Sequence, residues 1–280
     1  MNRPKVGHIN FLNILPLTWA YGQGLAKNLS IVPGVPAEIN ALVKNNRLDV
    51  SMMSSIEYAR QSENLLLLPD VCIRAKKDVT SIILLSKKPI EKLHGEKVLI
   101  TTKSATAHCL LKIILSESYG IVPEYATENL TPENPVPGDA AAALFIGDDA
   151  LYLYLHEKNF LQYDLGAEWY KLTGSEMVYA VFAARKNFAE TSPELLQEVY
   201  EKIFSGLNAG IKNKSAAINS VLPEKKFTFD ELNEYLGGVI KWDLNPEGLT
   251  ALKKFYSLAN KINLLEKIPE IKFAEVTALT

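Results

Sequence analysis

The residues with the most chemical promise in this chain are uncharged. Asn13 lies in the stretch from Lys5 to Leu17, KVGHINFLNILPL. Alternation of Val6, His8 and Asn10 with Gly7, Ile9 and Phe11 predicts a first strand there, and Asn13 and Pro16 end it. An amide at the carboxyl end of a strand can both donate to and accept from a ligand; the competing role is a cap for the next helix, where Asn is favoured. Ser54-Ser55 and Ser104-Ala105-Thr106 each stand where a predicted strand runs into a predicted helix. That position offers hydroxyls, free N–H groups and the positive end of a helix dipole to an anion, though a serine there also serves simply as a cap. Two such turns in separate halves of the chain suggest a ligand with two acidic ends. Gly147-Asp148-Asp149 follows a run of small residues, Ala140 to Ile146. Adjacent carboxylates on a strand face opposite ways, so they do not make a working acid–base pair, and Gly147 and Asp148 read as pocket wall. Among the four histidines, His94 and His156 fall in polar surroundings and His108 one turn into a helix. Only His8 is near the expected cleft, where it is equally well a hydrogen-bonded core residue.

The elements that must hold these groups follow from hydrophobic period. Leu29 to Val32, Leu48 to Met53, Lys97 to Ile100 and Ala140 to Ile146 read as strands, and the helix after Ser104 shows an apolar face of Ala107, Leu110, Leu111, Ile114 and Leu115 that ends at Tyr119-Gly120. Strands alternating with helices predict an α/β fold. Val79 to Leu85 and Met177 to Ala184 are the most β-like runs, and they predict two strands crossing between domains as a hinge. Beyond Arg185 the pattern turns helical, with start signals at Thr191-Ser192-Pro193-Glu194 and a capping box from Thr228 to Glu231. That tail is expected to pack back on the first domain, giving a discontinuous lobe 1 of residues 1–86 plus 185–280 and a lobe 2 of residues 87–184.

A chain of 280 residues with 48% apolar content supports two such domains. The near balance of 30 basic against 32 acidic residues, with no basic block, argues against nucleic acid or a membrane surface as partner. The amino terminus lacks the apolar run of a secretory signal, and no segment reaches the ~18 continuous apolar residues of a membrane helix, so a cytoplasmic protein is expected. Cys72 and Cys109, not in metal-like spacing, read as buried thiols.

In order along the chain, GHINFLNILPL, LDVSMMSSIEYA, TSIILLS, TTKSATA, FIGDDAL and DLGAEWYKLTG, between Gly7 and Gly174, resemble the chorismate dehydratase family of the futalosine route to menaquinone. The resemblance weakens in the helical tail. It implies a type II periplasmic-binding-protein-like fold, two α/β lobes joined by a two-strand hinge with ligand in the cleft. It also implies a hydro-lyase that takes water from chorismate, a dicarboxylate, to give 3-[(1-carboxyvinyl)oxy]benzoate without metal or organic cofactor. The substrate's own enolpyruvyl carboxylate would remove the proton. By the same resemblance Asn13 and Ser81 match the family's catalytic Asn and Ser, while Ser54, Ser55, Ser104, Ala105, Thr106, Gly147, Asp148 and His8 are expected to bind substrate. Two alternatives share the fold: a solute-binding receptor, which should carry an export signal or lipid anchor, and the dihydroxynaphthoate synthase of the same pathway, which needs a histidine base at His8 or His108.

Overall fold

The computed structural model describes residues 3–101 and 103–277; Thr102, in the motif TTKSATA, lies outside them. Its eleven described strands form two mixed sheets. The first contains β1 (Lys5–Ile9), β2 (Ser30–Gly34), β3 (Val50–Ser54), β4 (Leu65–Ala75), β10 (Met177–Arg185) and β11 (Ile240–Lys241), in the order β11-β4-β10-β3-β1-β2. The second contains β5 (Ile82–Ser86), β6 (Lys97–Thr101), β7 (Glu124–Glu128), β8 (Ala142–Ile146) and β9 (Leu161–Asp164), in the order β7-β6-β8-β5-β9. In each, three parallel strands meet one long-range antiparallel partner, β10 against β3 and β5 against β8. Sheet membership puts the passages between the sheets at residues 76–81 and 174–176, so the first takes in the start of the run Val79 to Leu85 and the second ends just before Met177.

Helices α1 (Leu15–Ala20), α2 (Pro36–Lys44) and α3 (Ser55–Gln61) belong to the first half-chain, and α4 (Ala105–Tyr119), α5 (Gly147–His156) and α6 (Leu165–Thr173) to the second. The tail supplies α7 (Lys186–Thr191), α8 (Pro193–Lys212), α9 (Lys214–Val221), α10 (Phe229–Glu234) and α11 (Pro246–Lys261). It is not wholly helical: β11, two residues long, pairs with β4. A pairing that short leaves no periodic trace in sequence. Ser104 and Thr228 cap their helices as the pattern predicts, and Gly120 ends α4 in the left-handed conformation at φ +64°.

The tail is held by burial. Helix α8 turns Leu196, Val199, Tyr200, Ile203 and Leu207 inward at helical spacing, each contributing roughly 1.5–3 kcal/mol when fully buried. Its approach to α1 is close enough that a Cβ at Gly210 would lie 2.0 Å from the Pro16 carbonyl oxygen. An exposed helical Gly→Ala change gains about 1 kcal/mol from propensity. Gly210→Ala is expected instead to destabilise by about 1–3 kcal/mol in urea unfolding, because rigid backbone must move; equal or greater stability than wild type would refute that packing.

Candidate active site

A narrow cleft lies between the two sheets. Its floor is apolar, with Ile9, Phe11, Met52 and Ile73 on one side and Val79, Ile82 and Ile146 on the other. Apart from Tyr179 within β10, the polar groups come from strand ends: Asn13 beyond β1, Ser54 closing β3, Ser81 just before β5, Ser104 beyond β6 and Gly147 beyond β8. Four of these five lie at the carboxyl ends of parallel strands, where α/β sheets hold ligands. Among the described lining residues none carries a charge.

Asn13 sits in a 3-10 turn, Leu12–Ile14, whose flanking positions show no side-chain cap, so the capping role does not apply to it. The turn is gripped from two sides. Trp242 Nε1 donates to the Asn13 carbonyl at 2.8 Å, and the Leu12 N–H donates to Asp148 Oδ1 at 2.9 Å. The Asn13 Oδ1 atom is covered and finds no hydrogen-bond partner among the described residues. Such an atom costs about 1–3 kcal/mol unless a ligand satisfies it.

Ser81 is buried, and its hydroxyl receives a hydrogen bond from Tyr235 Oη at 2.8 Å. The backbone before it is kinked: Thr80 has φ +58°, a conformation costly for a β-branched residue. Asp164 holds that kink by accepting the N–H groups of Val79 and Thr80 while capping α6 at Ala167. Ser54 begins α3 without capping it; Asn40 Nδ2 donates to its Oγ at 3.1 Å, and the Ser54 N–H donates to Asn40 Oδ1 at 3.3 Å. Ser104 does cap, accepting from the Ala107 N–H at 3.3 Å, so its α4 N-terminus faces the cleft. Gly147 is required by geometry: φ is +68°, its N–H donates to the Ser81 carbonyl, and a Cβ would meet the Phe11 ring at 2.9 Å.

Other expected site residues are placed elsewhere. Ser55 and Thr106 are buried against each other, Oγ to Oγ1 at 3.4 Å, and join the N-termini of α3 and α4 beneath the cleft. The two turns therefore touch, and half of their hydroxyls are used on one another. Ala105 is not among the described lining residues. Asp148 does not line the cleft either: besides Leu12 it takes Lys225 Nζ at 2.6 Å, and it heads a stripe of α5 in which Tyr152 packs edge-on to Phe227 and His156 meets Glu231 at 3.4 Å. That stripe clasps the segment leading into α10. His8 is a core residue, bonded to Thr18 Oγ1 at 2.8 Å and packed on Tyr21. His108 is turned to the Thr101 carbonyl, which accepts from it.

Asn40, Trp242 and Tyr235 are the contributors that sequence reasoning missed. Asn40 left a signal, since it interrupts the buried face that Ile39 and Val43 form on α2. Tyr235 and Trp242 lie in the tail, and nothing in their local pattern points at the cleft.

A family model described as menaquinone biosynthesis matches residues 4–261. The chain belongs to that family. Among its relatives, a chorismate dehydratase of Campylobacter jejuni is 25% identical over 263 residues, spanning 92% of this chain and 98% of that protein. A chorismate dehydratase of Thermus thermophilus is 31% identical over 200 residues, spanning 66% of this chain and 71% of that one. In fold, a protein from Archaeoglobus fulgidus is similar with TM-score 0.77 at 15% identity, over 93% of this chain and 97% of that one. The periplasmic aliphatic sulphonate binding protein of Escherichia coli is similar with TM-score 0.66 at 16% identity, over 100% of this chain and 96% of that one. This chain thus has a two-lobed, periplasmic-binding-protein-like architecture, as the motifs implied. Among the described residues no helix is long and apolar enough to cross a membrane.

Two expectations follow from these placements. Burial pushes the His8 imidazole down from 6.5 to about 4, so the neutral ring is the folded form. Stability is complete above the unfolded value and is lost as pH falls from 6.5 toward 4, because only the unfolded chain takes up the proton; the full loss is on the order of 3 kcal/mol. Urea unfolding across that window should show a shallower decline for His8→Gln, and identical slopes would remove His8 as the cause. For the clasp, Asp148→Ala should raise the radius of gyration in small-angle scattering, with Asp148→Asn between it and wild type because an acceptor for Leu12 remains. No change in the alanine variant would show that the clasp does not hold the sheets together.

Proposed function

We propose that this protein is a chorismate dehydratase, a hydro-lyase that converts chorismate to 3-[(1-carboxyvinyl)oxy]benzoate. The observation that carries the reading beyond the names of its relatives is the chemistry of the cleft: an amide, three serine hydroxyls and a helix N-terminus, with no charged side chain among the described lining residues. Such a surface suits a small dianion that brings its own base. In the proposed reaction the enolpyruvyl carboxylate takes the ring C3 proton, the C3–H electrons enter the ring, and the C4–O bond breaks to release the hydroxyl group, which leaves as water with that proton. The balance closes without an oxidant, and aromatisation drives it.

Charge developing at C3 spreads through the ring alkene to the ring carboxylate, so fixed donors near that carboxylate lower the barrier. Ser54, Ser81 and Ser104 supply hydroxyl donors in this reading, and α4 adds its dipole. Asn13 contributes an amide whose oxygen can accept from the substrate hydroxyl and whose nitrogen can donate. The apolar floor excludes water and holds the reacting groups in register, the contribution of proximity. The two sheets are proposed as the lobes, closing about the passages at residues 76–81 and 174–176.

Incubating the purified protein with chorismate and following a new aromatic absorbance tests the reading; binding without change would favour a solute receptor. Within an active enzyme, Asn13→Ala is expected to lose about 10²–10³ in turnover while melting near wild type. Asn13→Asp should be nearly as inactive, because it sets a carboxylate beside a dianion. Wild-type initial rates from Asn13→Asp would end the assignment of Asn13.

A further inference from the structure

We infer that Tyr235 and Asn40, neither of them among the described lining residues, hold the Ser81 and Ser54 hydroxyls as hydrogen-bond donors into the cleft. A serine hydroxyl has one hydrogen and two acceptor positions, so left alone it can serve either a donor or an acceptor on a ligand. A donor fixed behind it removes that freedom: the oxygen is engaged as acceptor, and its hydrogen turns to the open side.

At Ser54 the direction is set by the backbone. The Ser54 N–H needs an acceptor and finds Asn40 Oδ1 at 3.3 Å, which leaves Asn40 Nδ2 against Ser54 Oγ at 3.1 Å. At Ser81 it is set by satisfaction. Tyr235 is buried at 3% exposure, and its Oη meets Ser81 Oγ at 2.8 Å as its partner among the described residues. Were Tyr235 to accept, its own hydrogen would be buried without an acceptor, whereas Ser81 lines the cleft and has somewhere to place one. Burial also raises the Tyr235 phenol well above its ordinary range, so it keeps its proton.

The two serines come from different sheets, Ser54 from the end of β3 and Ser81 from the approach to β5, yet they are treated alike. The cleft thereby presents two oriented O–H donors to groups that only accept. A carboxylate satisfies both, while an amide or ammonium group would leave a serine hydrogen facing another hydrogen. Tyr235 and Asn40 are positioning residues in this scheme. The inference rests on the proposed function for its kinetic test but not for its binding test.

The experiment is a pair of double-mutant cycles. Tyr235→Phe should lower kcat on chorismate by roughly 10-fold with KM changed less, and should raise the calorimetric Kd for benzene-1,3-dicarboxylate by roughly 5-fold to 10-fold. Added to Ser81→Ala, the same change should alter either quantity by less than about 2-fold, because the hydroxyl it orients is gone. Equal effects in both backgrounds would mean a general structural role and would overturn the inference, as would a fully active Tyr235→Phe. Should Tyr235→Phe fail to fold, Asn40→Leu with Ser54→Ala gives the same cycle at the other serine, with the same criterion. If wild type binds the dicarboxylate but leaves chorismate unchanged, the proposed function fails and the binding cycle alone judges the two residues.

Discussion

Asp164 is buried at the start of α6, and its carboxylate accepts the N–H groups of Val79, Thr80 and Ala167. One charge thereby fixes a helix start and a chain crossing together. The crossing lies so close that a Cβ at Gly166 would be 2.2 Å from the Lys77 carbonyl oxygen, which leaves room only for glycine. Thr80 is then forced to φ +58°, a strain of about 1–3 kcal/mol. Bonds to a charged acceptor, each worth roughly 1.5–3 kcal/mol, can offset it. Ser81 is the next residue, and from it the Ser81 carbonyl reaches the Gly147 N–H, so the clamp extends from one wall of the cleft to the next.

The cleft itself is built from dipoles. Strand ends and helix starts deliver hydroxyls, an amide and a helix N-terminus to an apolar floor, and no described lining residue brings a charge that the ligand would have to neutralise. Donors in such a setting do not reorganise when charge develops, which is where their value for the proposed elimination lies. Charges are kept outside and used for holding. Asp148 with Lys225, and Arg74 with Glu176 and Asp243, tie the tail to segments on either side of the cleft.

The tail is thus part of the site although it approaches from behind. Trp242 fixes the turn bearing Asn13, Tyr235 stands behind Ser81, and α11 packs on β10. A helix pair set against each other at Ser55 and Thr106 completes the enclosure from below.

Local pattern determined the elements. Alternation marked β1, continuous apolar or small-residue runs marked β3, β6 and β8, helical spacing marked α4, and start signals marked α8 and α10, because strand pattern, helix period and cap chemistry act within a few residues. That sufficed to put Asn13, Ser54 and Ser104 at strand ends and so at a cleft. Which hydroxyl of each pair lines the cleft was beyond it: Ser54 does, while Ser55 is turned to Thr106. His8 and Asp148 had the right types in the right neighbourhoods, but β1 turned one toward Thr18 and the other spent its carboxylate on Leu12 and Lys225. The rear contacts join Tyr235 to Ser81 over 154 positions and Trp242 to Asn13 over 229. Partners that far apart are chosen by how α8 and the tail strand pack on the first sheet, and only the tertiary structure decides that.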